Sequence, residues 1–420
     1  MSVVQQSKPK KILGFLNVRK DHILLFLAIF ILIAGLVGTV VGLSSKMTPI
    51  PVMVFTQWLE NELEPGILEG LVREYEENTG GIKIELEFIS HNEARNRLLN
   101  FDYDGFTAGS VESPGDILIF DGAWIGELFR SGVLDPADDP PEPFLGYFYP
   151  LFYNIELLKE SGFNRPPKTR GEFLEMAQAA ANPEAGVYGI AFALGTQNPS
   201  GMYCDIYPWF WASDVTLHGN DRPFRETLDF LSRLNQGNMV FPGTFAMSDD
   251  EKLEAFTGNK IAFMISRMQD TRIVRQKMGD AAFGISTVPA ADSYLGKPVF
   301  GAASWHLGVF SRSEHRERAE AFVAFLMEKS SFIAEKTNAI CGNSLSPRQM
   351  NDPFISKAWE LYVDGFMANP AVPDMDEGYL SVIDRDEIFR EELASLFERG
   401  GDPVSAASAI NNRWKAAVQR

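Results

Sequence analysis

Cysteine is nearly absent from this chain of 420 residues, with only Cys204 and Cys341 present. That excludes a disulfide scaffold and a thiolate zinc site with Cys-x-x-Cys spacing, and leaves a single long-range disulfide open. Histidine is scarce too: His22, His91, His218, His306 and His315 form no His-x-x-x-His or His-Glu-x-x-His pattern, so neither a preformed metal site nor a metal cofactor is indicated. No Gly-x-x-x-x-Gly-Lys phosphate loop and no Gly-x-Ser-x-Gly elbow occur, so no cofactor or catalytic signature is present. Basic residues are in deficit, 38 against 56 acidic, giving a net charge of −18 that would repel phosphate backbones and excludes nucleic acid as a partner. Internal repeats and low-complexity tracts are missing, and Pro and Gly (24 and 35) are ordinary in number. With 45% hydrophobic and 22% charged residues the chain reads as globular, with two or three folding units.

One long apolar run stands out. Ile23 to Leu43 carries no charge, and as a helix rising about 1.5 Å per residue it matches a hydrocarbon core of roughly 30 Å. Lys8, Lys10, Lys11, Arg19 and Lys20 precede it. Basic flanks stay in the cytoplasm, so residues 1–22 read as a cytoplasmic segment, 23–43 as a transmembrane anchor and the rest as extracytoplasmic, in a single-pass membrane protein. A cleaved signal is the competing reading, although its apolar region is typically only about 7–15 residues.

Beyond Pro51, apolar patterning alternates between two periods. Val52–Phe55 and Asp116–Phe120 are short apolar runs, and Gly81–Phe88 alternates Ile82, Ile84, Leu86 and Phe88 with charged residues, all predicting strands. Helical spacing of Ile67, Leu68, Leu71, Val72 and Tyr75, then of 92–99 and 123–130, separates them. Strands alternating with helices predict an α/β unit with a parallel sheet. Further strands are expected at Val187–Leu194, Ile261–Ile265, Phe283–Val288 and His306–Phe310, and helices at 224–234, 319–327, 353–367, 386–397 and 403–418. Thr169 with Glu172, and Ser248 with Glu251, fit the capping box that satisfies free backbone donors.

Ligands of parallel sheets bind beyond the carboxyl ends of strands. That rule selects Thr56, Gln57 and Trp58, then Ser90, His91 and Asn92, then Asp121 and Trp124; Tyr203, Tyr207, Trp209, Trp211, Arg267 and Asp270 are offered by the second half. Indoles stack on C–H faces while amides and carboxylates satisfy hydroxyls, a chemistry suited to a polyhydroxylated solute. Each residue has a plainer role. An indole most often packs in a core, and Trp209 and Trp211, two apart on a helix, face different ways, so one of them is structural. Asp121 can serve as an N-cap, and Arg267 can pair with Asp270 or Asp280. Asp102-Tyr-Asp-Gly105 lacks the remaining ligands of a calcium loop and reads as a turn.

Several segments resemble the extracellular solute-binding proteins of ABC importers, the maltose-binding-protein-like family. They are Glu69–Glu87, Gly115–Leu134, Pro150–Thr169 (the most specific), Ala255–Ile265, Phe283–Pro289, Gly301–Phe310 with Ala319–Met327, and Gly401–Val418. The resemblance implies a two-lobed α/β clamshell of the type II periplasmic-binding-protein kind. Lobe 1 would be 50–145 plus 290–340, and lobe 2 would be 146–289 plus 341–420. It implies closure on a small-molecule solute, a carbohydrate or similar, that is handed to ABC permease transmembrane subunits, with no catalysis by this chain. By position it implies ligand contacts at Trp58, Asp121, Trp124, Trp209, Arg267, Trp305 and Tyr379, to which the strand-end reading adds Gln57.

Two departures from the family are visible. Gly38 to Ser45 contains no cysteine for lipid modification, so an uncleaved helix would take the lipid's place. The stretch Asp135 to Phe152 is shorter than the family's, which includes a strand crossing between lobes. Other classes stay open: a tethered sensor or interaction module that keeps the clamshell, told apart by neighbouring permease genes, and a membrane-bound glycan hydrolase using a carboxylate pair.

Overall fold

Runs that are apolar on both faces form the centres of two sheets. The computed structural model describes residues 50–103, 105, 113–196, 201–213, 215, 221–296, 302–341, 345–366 and 381–418. The expected anchor at 23–43 lies outside them. Among the described residues no helix is long and apolar enough to cross a membrane. Residues 53–80 and 84–420 belong to one compact unit, which holds every site residue discussed below, while 50–52 and 81–83 group apart from it.

Among the described residues nine strands are present: β1 (Val52–Gln57), β2 (Lys83–Phe88), β3 (Ile117–Asp121), β4 (Pro143–Phe148), β5 (Leu151–Asn154), β6 (Tyr188–Ile190), β7 (Ile261–Ile265), β8 (Phe283–Ser286) and β9 (Ala302–Val309). They make a five-stranded sheet in the order β2-β1-β3-β9-β4 and a four-stranded sheet in the order β6-β7-β5-β8. In the first, β1 and β3 are parallel, with Phe55 opposite Ile117, and β9 runs antiparallel to both β3 and β4. In the second, β6 and β7 are parallel while β5 is antiparallel to β7 and β8. All five residues of β3 and of β7 are buried, as expected of strands covered on both faces.

Cores sit under each sheet. Phe173 packs against Phe263 of β7 with ring centroids 4.6 Å apart, and the helix Arg222–Gln236 adds Phe224, Leu228, Phe230, Leu231 and Leu234. The helices Val382–Glu398 and Pro403–Val418 join the same core through Ile388, Phe389, Leu393, Leu396, Ala407 and Ile410. At about 25 cal/mol per Å² of apolar surface removed from water, side chains of this size each contribute about 1.5–3 kcal/mol. Cys204 and Cys341 are both free thiols, which answers the disulfide question in the negative.

Two sequence expectations need correction, and one stretch holds strands that the sequence did not predict. Residues 135–152 contain all of β4 and the start of β5, and Tyr149-Pro150 alone separates them. The run Phe144-Leu-Gly-Tyr-Phe-Tyr149 is buried throughout, so it shows no alternation to betray a strand, and the flanking prolines suggest turns instead. The expected strand Val187–Leu194 pairs regularly only over Tyr188–Ile190. Beyond it, Ala193 N–H donates to the Asp205 carboxylate at 2.6 Å and Leu194 N–H to the Thr244 carbonyl at 2.8 Å, so the backbone leaves the ladder while staying buried. The capping box at Ser248–Glu251 is complete. At Thr169 only half forms, because the Glu172 carboxylate turns to Lys168 N–H and to the Arg165 guanidinium.

Candidate functional site

The chain segments leaving β1, β2, β3 and β7 converge on a cavity of about 440 Å³. Each brings side chains there for a local reason. Trp58 follows β1 and opens the turn Leu59–Asn61. Ser90 accepts from Glu93 N–H at 3.1 Å and so starts the helix His91–Leu99, which carries His91, Asn92 and Arg95 to the wall. Asp121 ends β3 and accepts from Ala123 N–H at 2.9 Å, so the N-cap reading and the cavity-lining reading both hold for it. Gly122 has no alternative: a Cβ there would lie 2.6 Å from Ser304 Oγ and 2.8 Å from His306 Nε2 on β9. This close approach sets Trp124 against the sheet.

Aromatic rings form the floor. Trp58 meets His91 edge-on at 5.0 Å, Trp305 edge-on at 5.4 Å and Trp124 at 6.0 Å, and His91 lies 5.0 Å from Trp124. Such edge-to-face pairs add about 0.5–1.5 kcal/mol each beyond burial. Most indole surface is therefore spent on other rings; Trp58, Trp124 and Trp305 are only 2–4% exposed. The Trp58 Nε1–H finds no hydrogen-bond acceptor.

Polar groups line the rest. Arg267 Nη1 donates to Glu62 Oε1 at 3.0 Å, and its Nη2 lies 3.6 Å from Asp270. Against the desolvation that burial imposes, Asp270 and Glu62 hold this guanidinium firmly charged. Arg95 Nη2 donates to Asp386 Oδ2 at 3.0 Å, and Tyr207 Oη–H donates to Asp386 Oδ1 at 2.7 Å. Val382 N–H donates to Glu127 Oε2 at 3.2 Å. Glu62, Arg95 and Glu127 accompany the first sheet, while Arg267, Asp386 and Val382 pack with the second, so these contacts tie the two halves across the cavity.

Deeper in the second half, Lys252 is fully buried and donates to Asp205 Oδ1 at 2.6 Å; it also sits 3.0 Å from Asp249, which lines the cavity. Burial raises the phenols of Tyr149 and Tyr203 and the thiol of Cys204, so these wall groups remain protonated. Among the described residues no group of three or more His, Cys, Asp or Glu is placed to hold a metal ion.

Of the residues singled out by sequence, Trp58, Asp121, Trp124, Arg267 and Trp305 line this cavity together. Gln57 and Trp209 do not. Gln57 is fully buried, its Oε1 accepting from Glu60 N–H at 3.0 Å. Trp209 is sealed in the second core against Phe173 and Phe230, with centroids at 5.1 and 4.7 Å, and its carbonyl accepts from the buried Arg170. Burial pushes the Arg170 guanidinium down to about 10, while bonds to Thr227 and Pro289 complete its shell. Tyr379 lies outside the described residues. Arg267 takes Asp270 and Glu62 as partners, whereas Asp280 pairs with Arg275 at 2.8 Å.

Sequence reasoning missed Glu62, Arg95, Tyr149, Asp249, Asp250 and Asp386 as wall residues. A signal existed for two of them: the capping box at Ser248 places Asp249 and Asp250 at a helix start. For Asp386 no local signal existed, because it sits inside the charged run Asp384-Arg-Asp-Glu387 of its helix.

Comparison with known proteins gives the same architecture. A probable ABC transporter-binding protein of Deinococcus radiodurans is 25% identical over 189 residues, 42% of this chain and 44% of that protein, so the chain spans under half the length of this curated relative. Among solved structures, the GacH receptor of Streptomyces glaucescens, determined unliganded and with acarbose, superposes with a TM-score of 0.68 at 17% identity, covering 89% of this chain and 99% of that one. Maltose-bound MalE3 of T. maritima gives 0.67 at 15% identity, covering 87% and 99%. These likenesses establish the two-lobed α/β clamshell. The model of the bacterial extracellular solute-binding protein matches residues 61–331, and the chain belongs to that family.

Proposed function

We propose that this chain is the extracytoplasmic solute-binding component of an ABC importer, held to the membrane by residues 23–43. We propose further that it closes on a carbohydrate or similar polyol and delivers it to permease subunits without catalysing a reaction. The observation that carries this reading is the cavity of about 440 Å³, within the size range of small-molecule sites, with an indole floor and a wall of carboxylates, amides and phenols. Neutral phenols and amides can both donate to and accept from hydroxyls. The proposed lobes are 50–145 with 290–340 and 146–289 with 341–420, and Trp58, Asp121, Trp124, Arg267 and Trp305 are the proposed contacts.

Calorimetric titration of the full chain with a panel of neutral sugars and polyols tests it. Saturable binding of at least one, weakened at least about tenfold by Asp121→Asn or Asn92→Ala, is expected. Binding that both variants leave intact removes the site, and bond cleavage in a recovered sugar would turn the reading towards a hydrolase. Protease accessibility of the bulk of the chain from the outer face of intact cells tests the anchor.

A further inference from the structure

The second-half member of each ion pair across the cavity also has a partner in its own half. Asp386 accepts from Arg95 across the cavity at 3.0 Å, and in its own half from Tyr207 Oη–H at 2.7 Å and Arg385 at 3.3 Å. Arg267 reaches Glu62 at 3.0 Å and keeps Asp270 at 3.6 Å, three residues along its own segment. A third tie crosses nearby. Glu127, half-buried, accepts from Val382 N–H at 3.2 Å, one helical turn before Asp386 on the same helix face. The first half thus holds the start of this helix at two points, while Ile388, Phe389, Leu393 and Leu396 fix the helix in the second core.

Separating Asp205 from Lys252, at 0% and 1% exposure, would leave a bare charge where nothing solvates it. Separating Arg95 from Asp386, or Glu62 from Arg267, would not. Asp386 and Arg267 keep their own-half partners, and Arg95 and Glu62 border the cavity, where water reaches them. Pairs that part without stranding a charge suit a contact that opens and re-forms. We infer that Arg95–Asp386, Glu62–Arg267 and Glu127 with the Val382 N–H are releasable latches that set how far the two halves stand open. Glu127 lies outside the cavity lining and is a positioning residue, acting through the helix Val382–Glu398. The inference rests on the clamshell solute-binding reading and deepens it: a solute enters only the open form, so the latches slow its association by the fraction of chain they hold shut.

The test measures the distance between the halves with no solute added. Spin labels at Glu69→Cys and Asp229→Cys, exposed positions on a helix of each half, are placed in the full chain in detergent with Cys341→Ser and the buried Cys204 retained. Double electron–electron resonance should show one dominant short distance in this parent. Arg95→Gln with Glu62→Gln should raise the ratio of a longer to the short population at least about tenfold, and Glu127→Ala alone about threefold. If the double variant does not fold, Glu127→Ala decides alone. Distances that the variants leave unchanged, even with a lowered unfolding midpoint, overturn the inference, as does a parent already mainly at the longer distance. Failure of every neutral sugar and polyol to bind overturns the solute reading and leaves this result standing.

Discussion

The two walls of the cavity are built by opposite means. On the first-sheet side, Trp58, His91, Trp124 and Trp305 hold one another by ring contacts at 5.0 to 6.0 Å. On the second-sheet side, shape is fixed by charge, with Asp205 and Lys252 paired at zero exposure and Arg267 shared by Glu62 and Asp270. Ring packing is non-directional, tolerates salt and degrades gradually when an atom is removed. A buried ion pair adds little net stability while intact, yet removing one member leaves a bare charge in a medium that cannot solvate it. The first wall should thus answer to volume, the second to charge.

The largest expected effect lies in the second wall. Lys252→Met should cost about 3–5 kcal/mol in denaturant unfolding, and adding Asp205→Asn should recover most of it; a single-variant loss below about 1 kcal/mol would end the contrast. In the first wall, Trp124→Ala should cost about 3 kcal/mol, and that loss should be the same at low and high salt, which equilibrium unfolding across a salt series checks.

A smaller effect is set by pH. His306 on β9 has Nδ1 2.8 Å from the Pro141 carbonyl, which can only accept, so Nδ1 carries the proton and Nε2 accepts from Ser304 Oγ–H at 2.8 Å. Burial lowers this imidazole below its ordinary 6.5. The unfolded chain then binds the proton more readily, so the stability contribution is present above 6.5 and is lost as pH falls through the lower folded value. Unfolding midpoints should decline on acidification, and His306→Gln should flatten that part of the profile. The smallest effect belongs to the exposed pair Arg165–Glu172 at 2.8 Å. Arg165 and Lys168 N–H hold the Glu172 carboxyl down to about 2, yet Arg165→Ala should leave the thermal midpoint unmoved because water already screens the pair.

Much of this was readable in the sequence wherever a local rule applied. Ile261–Ile265 is a strand because an apolar run bounded by polar residues has one stable setting, a sheet centre, and Ser248 with Glu251 begins a helix because backbone donors need acceptors. Strand ends located Trp58, Asp121 and Trp124. The rule failed where contacts come from distant segments: Arg95 meets Asp386 only because the helix Val382–Glu398 folds back on the second sheet and reaches the first. Trp209 misled because a helical aromatic cluster looks alike whether it lines a void or fills a core, and only the packing of Phe173 and Phe230 decides.

The step from β4 to β5 takes only Tyr149 and Pro150, and Tyr149 also lines the cavity. Proline's ring locks one torsion of this joint, so whatever freedom the joint has is concentrated in very few bonds beside the cavity. Were the proposed solute to fill the cavity, it would lie against this connection between the two sheets.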